Sequence, residues 1–470
     1  MRNKKGENTS HYVLTIQNLD DDCLLHIFSF LSIIDRVKVQ RVCQRWKILS
    51  HTSWRSVKRL SVRQHFWGVS DKNNIQIDRY ILKRILELCG RFVTHADLSN
   101  ENEYYGSHKK IRIQSCKAIF CIIQEMCPNI RSINVGRPCT ESTVEYVANH
   151  FNKLTHFAIQ GVNDKYEDYL SILFSNNQNL RYLSMKDCCL TNKCLLNLKS
   201  ESVEELCLDD CSVGMLQHLL SSLEQFKKLC SLKFVRCRSD QASWITSTLS
   251  SISSNLTNLK KLDIYLYDCN FECIECSCID QLKNLEILYI GGNVMATDEI
   301  INIISNNCRK LTNVRIYNSD NITDVGLSSI ASLPNLQYLS VRSLEMITDN
   351  FFKIMFKLIT LECRRCPNIK NDGISKLILA SNHLKMIKIN CCANISALGF
   401  SDSVIASRND KLTVEIDSSE IDDNFISNYC SITKYGDSIV RKIKQLCYNC
   451  LKSSNAHASC IHCCDITEAL

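Results

Sequence analysis

One spacing constrains this chain more than any other. Leu180, Leu183, Met185 and Cys188 stand at intervals of three, two and three residues. The same intervals recur in Val203-Leu206-Leu208-Cys211, Leu229-Leu232-Phe234-Cys237, Leu285-Leu288-Ile290-Asn293, Leu358-Leu361-Cys363-Cys366 and Leu384-Ile387-Ile389-Cys392. Copies without the closing Cys or Asn begin at Ile130, Leu154, Leu259, Leu311 and Leu336. Clear steps between copies run from 22 residues (Leu336 to Leu358) to 30 (Leu229 to Leu259), and those from Leu259 to Leu285, Leu285 to Leu311 and Leu358 to Leu384 are each 26. Leu183 and Met185 alternate as on a strand, so they share one face while Ser184 and Lys186 share the other. The closing Asn is expected to bond loop backbone, and the closing Cys to pack as a small apolar residue. An amphipathic helix then follows, as in Ile300, Ile301, Ile303 and Ile304 after Asn293. One such unit cannot bury its own apolar face, but stacked neighbours can.

This is the period and pattern of leucine-rich repeats. The expected fold class is therefore α/β, a solenoid with parallel strands on the concave face and helices on the convex face. An ordinary α/β domain with leucine-rich strands would not repeat one pattern eleven times. Length agrees, because 470 residues exceed what one compact core accommodates. Lys plus Arg exceed Asp plus Glu by 56 − 49 = +7, a mild bias rather than a nucleic-acid signature. The polar start, Met1 to Ser10, lacks a signal core, and no run approaches the ~18 apolar residues that span a bilayer. These features predict a soluble, intracellular protein, cytoplasmic, nuclear or both, that binds neither membrane nor nucleic acid. Many of the 29 cysteines fall on core positions of the repeat, among them Cys188, Cys211, Cys237 and Cys366, and read as buried reduced thiols.

Asn18 to Ser50 is different. Leu24, Leu25, Ile27, Phe28 and Leu31 make a helical apolar stripe, with Asp20, Asp21 and Asp22 at its start, where negative charge favours a helix N-terminus. Ser32 and Asp35 are spaced as a capping box that opens a second helix carrying Val39, Val42, Cys43 and Trp46. The stretch Leu19 to Leu31, then Val39 to Trp46 with Ser53-Trp54-Arg55 after it, closely resembles the F-box. Asp20 departs from the family pattern, which has proline there. The resemblance implies a three-helix unit that docks on a Skp-type adaptor and through it on a cullin scaffold. Carried over by position, the adaptor-facing residues are Leu19, Leu24, Ile27, Phe28, Leu31, Val42, Cys43 and Trp46. The competing reading makes the same stripe the core of the three-helix unit; about 40 residues are too few to bury it alone.

Val57, Leu60 and Val62 are expected to form the first repeat strand, fused to the F-box without a Pro/Gly/Ser linker, so that the join is stiff. Val93, Ala96 and Leu98 mark a second strand. The steps here, from 57 to 93 and from 93 to 130, are long, and Asn100 to Lys110 reads as the extra loop. Asn321-Ile-Thr-Asp-Val-Gly-Leu327 and Ile347-Thr-Asp349, with Ile369-Lys-Asn-Asp-Gly-Ile374 as a looser match, resemble the cysteine-containing subclass of leucine-rich repeat, in which this segment opens the convex helix. The resemblance as a whole is to F-box proteins with such repeats. The expected domains are a flexible tail over 1–17, the F-box over 18–56, the solenoid over 57–430, and a helix with a Cys-rich tail over 431–470.

The outward strand positions line the concave face, the usual binding surface of such arrays. Between the second and third anchors stand Lys233, Asp263, Tyr289, Arg315, Ser340, Glu362 and Lys388. The next outward position holds Val235, Tyr265, Gly291, Tyr317, Arg342, Arg364 and Asn390. Tyr265, Tyr289, Arg315, Tyr317, Arg342 and Arg364 thus fall close together and are the candidate substrate-binding residues, suited to an acidic or phosphorylated segment. The alternative is a solvated face of mixed charge, since Asp263 and Glu362 intrude.

Cys447-x-x-Cys450 and Cys460-x-x-Cys463 could form a four-thiolate zinc knuckle, or belong to a cysteine-containing tail. Cys269, Cys273, Cys276 and Cys278 read rather as part of a repeat helix face that includes Ile274, Cys278 and Leu282. No metal and no cofactor is therefore assigned. No phosphate-cradling glycine loop, His-Glu-x-x-His or Gly-x-Ser-x-Gly occurs, and His26, His95 and His156 lie scattered. The family resemblance implies a non-catalytic substrate-recognition subunit of an SCF-type (Skp, cullin, F-box) ubiquitin ligase. A non-degradative repeat scaffold is the leading alternative, and a zinc-dependent nucleic-acid binder using the tail is a third.

Overall fold

The computed structural model describes residues 15–417 apart from 62–63, 69–77, 100–116, 138, 192, 212–222, 237–249, 266–279, 294–295, 353–354, 396–402 and 404–411. Val62, the Asn100 to Lys110 loop, Cys237, the Cys269 to Cys278 cluster and the tail with Cys447, Cys450, Cys460 and Cys463 therefore lie outside the described residues. The chain divides into two compact units, Met1–Phe157 and Ala158–Leu470.

The first unit opens with three helices, α1 (Asp21–Ser29), α2 (Ile33–Val39) and α3 (Gln44–Ser53). Asp20 caps α1, its carboxylate accepting from Cys23 N at 2.7 Å, and its φ of −67° is the value a proline would impose. The departure at this position thus retains the backbone angle and adds a cap. The bond from Cys23 also holds the Asp20 carboxyl below its ordinary pKa. Ser32 caps α2, accepting from Asp35 N and donating to the Asp35 carboxylate at 2.7 Å. The single second helix expected through Trp46 is instead two. The chain turns at Gln40 to Val42, extends at Cys43, and restarts with Cys43 Sγ accepting from Trp46 N at 3.4 Å. Valines 37, 39 and 42 are weak helix formers, so little propensity opposes the break. Ahead of α1, the residues expected as tail already make a short turn at Ile16–Asn18, closed by Thr15 and Asn18.

The three helices are held by a buried cation. Arg36 is 4% exposed. It donates to Ser29 O (2.5 Å), Leu31 O (2.9 Å), Ser53 O (2.7 Å), Ser53 Oγ (3.1 Å) and Ser56 Oγ (3.1 Å). The carbonyls belong to the C-terminal ends of α1 and α3, where helix dipoles present negative charge. Burial presses the Arg36 pKa down, but five donors spread the charge over oxygens that would otherwise be orphaned. Trp54 follows, fully buried, and Trp67 (helix Gln64–Trp67) lies beneath β1 with its ring nitrogen donating to Ser61 O at 2.8 Å. Gly68 has φ +76°, and any Cβ there would run into Ser32. The first repeat therefore follows the F-box with no spacer.

Strands are β1 (Arg59–Ser61), β2 (His95–Asp97), β3 (Ser132–Val135), β4 (His156–Gln160), β5 (Tyr182–Lys186), β6 (Glu205–Asp209) and β7 (Ser231–Val235). They continue as β8 (Lys261–Tyr265), β9 (Ile287–Gly291), β10 (Asn313–Tyr317), β11 (Tyr338–Arg342), β12 (Thr360–Arg364), β13 (Met386–Asn390) and β14 (Thr413–Asp417). Within each unit neighbours in sequence are neighbours in the sheet, parallel and in register: β1 to β3 in the first, β5 to β14 in the second. All eleven leading anchors from Ile130 to Leu384 are buried, as are the paired strand anchors. Helices are about 10 Å across and strands about 4.8 Å apart, so a stack of both bends with the strands inside.

What packs opposite the strands depends on repeat length. Steps of 25 or 26 residues hold α-helices at Asp298–Asn307, Asp324–Ala331 and Asn371–Ala380. Among the described residues the steps of 22 and 23 residues hold 3-10 turns instead, at Asp349–Phe351 in the first and at Lys193–Asn197 and Ser200–Ser202 in the second. The expected helix is replaced there because too few residues remain to form one.

Three ladders stitch successive repeats. The residue leaving the strand is left-handed after β4 to β7 and β9 to β13 (Gly161, Asp187, Asp210, Arg236, Gly292, Asn318, Ser343, Arg365, Cys391). From Gly161 to Arg365 its N–H reaches the last carbonyl of the next strand, as in Ser343 N to Arg364 O at 2.8 Å. The closing cysteines do more than fill space. Cys211, Cys366 and Cys392 thiols donate to Met185, Val341 and Cys363 carbonyls one strand back. Burial pushes the Cys366 thiol up to about 12. Asn293 likewise bonds across, accepting from the loop backbone of the next repeat at Asp320 N, 2.7 Å away. In the Thr-Asp segments the Asp298 carboxylate accepts from Thr323 N, Thr323 Oγ1 and Gly326 N, and Asp324 accepts from Thr348 N and Oγ1.

Candidate functional site

Two surfaces follow from this architecture, one in each unit. On the F-box, Leu24 and Phe28 (one turn apart on α1) form the core with Leu49, and Leu19, Leu25, Leu31, Val39 and Trp46 pack against it. Phe28 meets Trp46 edge-on at 5.2 Å. Leu24 and Phe28 are 0% and 1% exposed, so the structure places these two adaptor-facing candidates in the core of the three-helix unit. Leu19, Leu31 and Trp46 are half-buried, whereas Ile27, Val42 and Cys43 are exposed. Exposed too are Phe30 (76%), Ile48 (60%) and Val37, which the sequence pattern did not single out. α1 and α3 thus pack together through the centre of the stripe and leave large apolar side chains outside. Arg45 fixes the start of α3 to α1, donating to Asp21 Oδ1 at 2.8 Å and to Gln17 and Leu19 carbonyls at 3.0 and 2.6 Å.

The second surface is the outer face of β8 to β12. Register places Tyr265, Gly291, Tyr317, Arg342 and Arg364 in one row, and Asp263, Tyr289, Arg315, Ser340 and Glu362 in another. All six candidate residues are brought onto this face, each half-buried. Tyr317 leans over Gly291 towards Tyr265, their rings 5.2 Å apart, and its hydroxyl donates to Asp263 at 3.4 Å. A Cβ at Gly291 would stand 2.7 Å from the Tyr317 ring, so only glycine admits this pose. Arg315 stacks over Tyr289 at 4.8 Å and donates to Tyr338 Oη at 3.2 Å. Tyr338 in turn donates to Glu362 at 2.6 Å, and Lys388 lies 3.9 Å from Glu362. Tyr338 escaped the sequence reading because it occupies the third outward position, two residues ahead of those compared; its parity was the available signal.

Burial sets the electrostatics. It raises the Asp263 carboxyl above its ordinary pKa against the pull of Lys233, Lys261 and Arg315. It also raises the Tyr317 hydroxyl well above its ordinary pKa, with Asp263 adding to the shift, and raises Tyr338. Among the described residues no group of three or more His, Cys, Asp or Glu could hold a metal ion, and no helix is long and apolar enough to cross a membrane.

Comparison with known proteins bears on the first of these surfaces. Residues 16–58 match the F-box domain family. The chain is an F-box followed by a leucine-rich-repeat array. It is 48% identical over 40 residues to human F-box/LRR-repeat protein 12, covering 8% of this chain and 12% of that one. It is 21% identical over 380 residues, 78% of its length, to the Caenorhabditis elegans protein named "Putative RNA-binding protein EEED8.10". The chain spans 48% of that relative's length. Among solved structures, the yeast Rad7 and Elc1 complex aligns at TM-score 0.46 and 14% identity, over 84% of this chain and 92% of that one. The internalin inlF of Listeria monocytogenes aligns at TM-score 0.37 and 16% identity, over 72% and 96%.

Proposed function

We propose that this protein is the substrate-recognition subunit of an SCF-type ubiquitin ligase, acting in the cytoplasm or nucleus. The F-box would dock on a Skp-type adaptor, and the adaptor on a cullin; the strand face of the later repeats would capture a protein substrate. The chain then does no chemistry of its own. It raises the effective concentration of a substrate lysine near a charged conjugating enzyme. The observation that carries the reading is the set of large apolar side chains that the F-box leaves in water, Phe30 and Ile48 foremost. A small helical domain keeps such residues outside at a cost in solubility, which docking on an apolar adaptor surface offsets.

The test is co-purification of adaptor and cullin with the full chain and with Val42→Asp/Ile48→Asp. Both side chains are exposed, so the variant keeps its fold. Aspartate at Leu31 or Trp46 also severs the adaptor in this reading, but those residues pack on the core, so their variants confound docking with folding. We expect the double variant to lose adaptor and cullin while its helical content is unchanged. Full retention of the adaptor overturns the placement, and a wild-type chain that holds adaptor without cullin favours a non-degradative scaffold.

A further inference from the structure

The excess of cations is mild over the whole chain, but it is unevenly placed. Met1–Phe157 holds 24 Lys and Arg against 14 Asp and Glu, 24 − 14 = +10. Ala158–Leu470 holds 32 against 35, 32 − 35 = −3. In the first unit the charge gathers where the strands begin. Lys58, Arg59, Arg91 and Arg131 are exposed there, and no Asp or Glu occurs in 54–61, 89–96, 127–135 or 151–157. Among the described residues of this unit the ion pairs lie elsewhere, at Lys38–Asp35, Arg45–Asp21, Lys83–Glu125 and Arg84–Glu87. The second unit treats the residue before the strand differently: Arg181 meets Glu204 at 2.6 Å, and Lys260 meets Glu286 at 3.5 Å. We propose that the strand-entry edge of β1 to β3 binds the sugar–phosphate backbone of single-stranded nucleic acid. The proposal does not rest on the ligase reading.

Backbone bonds fix the row. Thr94 N donates to Lys58 O and Arg131 N to Thr94 O, each at 2.8 Å, so Lys58, Thr94 and Arg131 stand abreast at the three entries. Arg59 is the register partner of His95, and His95 of Ser132, on strands about 4.8 Å apart. Phe92 draws in two of the cations, with Lys58 Nζ 5.4 Å and the Arg91 guanidinium 4.7 Å from its ring centre. Beside them the His95 and His156 rings approach to 6.3 Å, centre to centre, from either side of the small Ser132. The preceding threonines hold both rings. Thr94 and Thr155 hydroxyls donate to the Lys58 and Arg131 carbonyls at 3.3 Å, and so accept from His95 and His156 Nδ1 at 2.8 Å. Burial, then Arg59 and His156, press the His95 pKa below its ordinary value, which keeps that ring neutral at neutral pH. Histidine rings are among those on which unpaired bases stack.

The composition of this face favours nucleic acid over an acidic protein. A protein partner is held chiefly by apolar or aromatic anchors in a desolvated centre. The outward positions of β1 to β3 are Arg59, Ser61, His95, Asp97, Ser132 and Asn134, with no aliphatic side chain among them. Arginine, serine and asparagine are instead the types that reach phosphate and sugar oxygens. Asp97, the one acid of the six, is already engaged, accepting from Ser99 N, Ser99 Oγ and Asn134 Nδ2.

The experiment is fluorescence anisotropy on the full chain with labelled oligouridine, oligodeoxythymidine and polyglutamate, and co-sedimentation with phosphatidylserine vesicles. We expect the oligonucleotides to bind, and the tighter of the two tells whether RNA or DNA is the natural strand. With four phosphates engaged, affinity should fall about fiftyfold between about 50 and 200 mM salt. Arg59→Gln/Arg131→Gln changes two exposed side chains. It should make the log–log salt slope shallower by about 1.4 and weaken binding about tenfold at about 200 mM salt. Arg59→Lys/Arg131→Lys, which keeps the charge, should restore most of the affinity. Arg181→Gln/Lys260→Gln, which removes cations that acids already answer, should leave it unchanged. No binding at low salt, a flat salt slope, or a tighter hold on polyglutamate or vesicles than on either oligonucleotide overturns the proposal. So does an equal loss in the Arg59/Arg131 and Arg181/Lys260 glutamine variants. Adaptor co-purification reads the ligase proposal separately, and its failure leaves this one standing.

Discussion

The F-box and the later repeats bury polar groups by opposite strategies. In the F-box one side chain, Arg36, serves carbonyls from the ends of two helices and hydroxyls beyond them. In the array the work is divided among copies. The left-handed turns from Gly161 to Arg365, the closing cysteines Cys211, Cys366 and Cys392, and the Thr-Asp pairs bond one repeat to the next. A few dozen residues with three short helices have no second place to satisfy those carbonyls, so the F-box depends on one centre. A stack of units contacts only nearest neighbours, so its stability is close to a sum. Damage to the first should be concerted, and damage to the second should stay local.

The strongest way to break this contrast is Arg36→Leu. It leaves the buried carbonyl of Ser53 and the half-buried carbonyls of Ser29 and Leu31 without that donor, and we expect a loss of about 3 kcal/mol with α1, α2 and α3 losing hydrogen-exchange protection together. A loss confined to α2, or below about 1 kcal/mol, would deny the single-centre account. Next in size is Asp324→Ala, which removes the acceptor for Thr348 N and Oγ1. We expect about 2 kcal/mol, with exchange rising only around 320–350. Asp324→Asn, which keeps one acceptor oxygen, should cost about half of that. Spread of the effect as far as β5 would contradict nearest-neighbour behaviour. Smaller and opposite in sign is Ser343→Gly. A non-glycine residue at φ +50° is strained, so glycine should stabilise by about 1 kcal/mol, read as a raised denaturation midpoint. An unchanged midpoint would mean that the turn stores no strain.

How much of this the sequence discloses follows the same division. The array is legible because its burial is periodic: Leu180, Leu183 and Met185 recur with their spacing intact, and parity alone puts Arg315, Arg342 and Arg364 on one outward face. The last strand, β14, escapes because Lys411 stands where a leading leucine would, although Val414 and Ile416 keep the alternation. The left-handed turns are half-visible. Asp187, Asp210 and Asn318 are types that tolerate them, while Arg236, Ser343, Arg365 and Cys391 give no sign. In the F-box, one apolar stripe holds both core and surface. Helical spacing cannot say that Leu24 and Phe28 turn inwards while Ile27 and Phe30 do not, because that depends on where α3 packs. Nor does an arginine between Asp35 and Val37 announce itself as the centre of a domain.

The subtlest difference between the regions is in their response to acid, and the signs oppose. In the F-box, the Ser32 hydroxyl, and then Lys38, hold the Asp35 carboxyl below the ordinary value of 3.8. A carboxyl depressed in the folded state contributes stability above the unfolded pKa and loses it as pH falls through the folded one. In the array, burial raises Asp263 above 3.8. As pH climbs past that value the unfolded chain ionises first, so the fold sheds stability until the buried carboxyl ionises too, and acidification from neutrality restores it. Both effects should stay below about 1 kcal/mol, Asp35 because it is half-exposed and Asp263 because Lys233 at 3.8 Å offsets its burial. Denaturation midpoints of Asp35→Asn and Asp263→Asn between pH 3 and 7 read them separately. Asp35→Asn should lie below wild type at neutral pH and converge with it below 3.8. Asp263→Asn should lie above wild type at neutral pH and converge with it in acid. If both variants moved the same way, charge in the two regions would be handled alike, and the contrast would hold for packing alone.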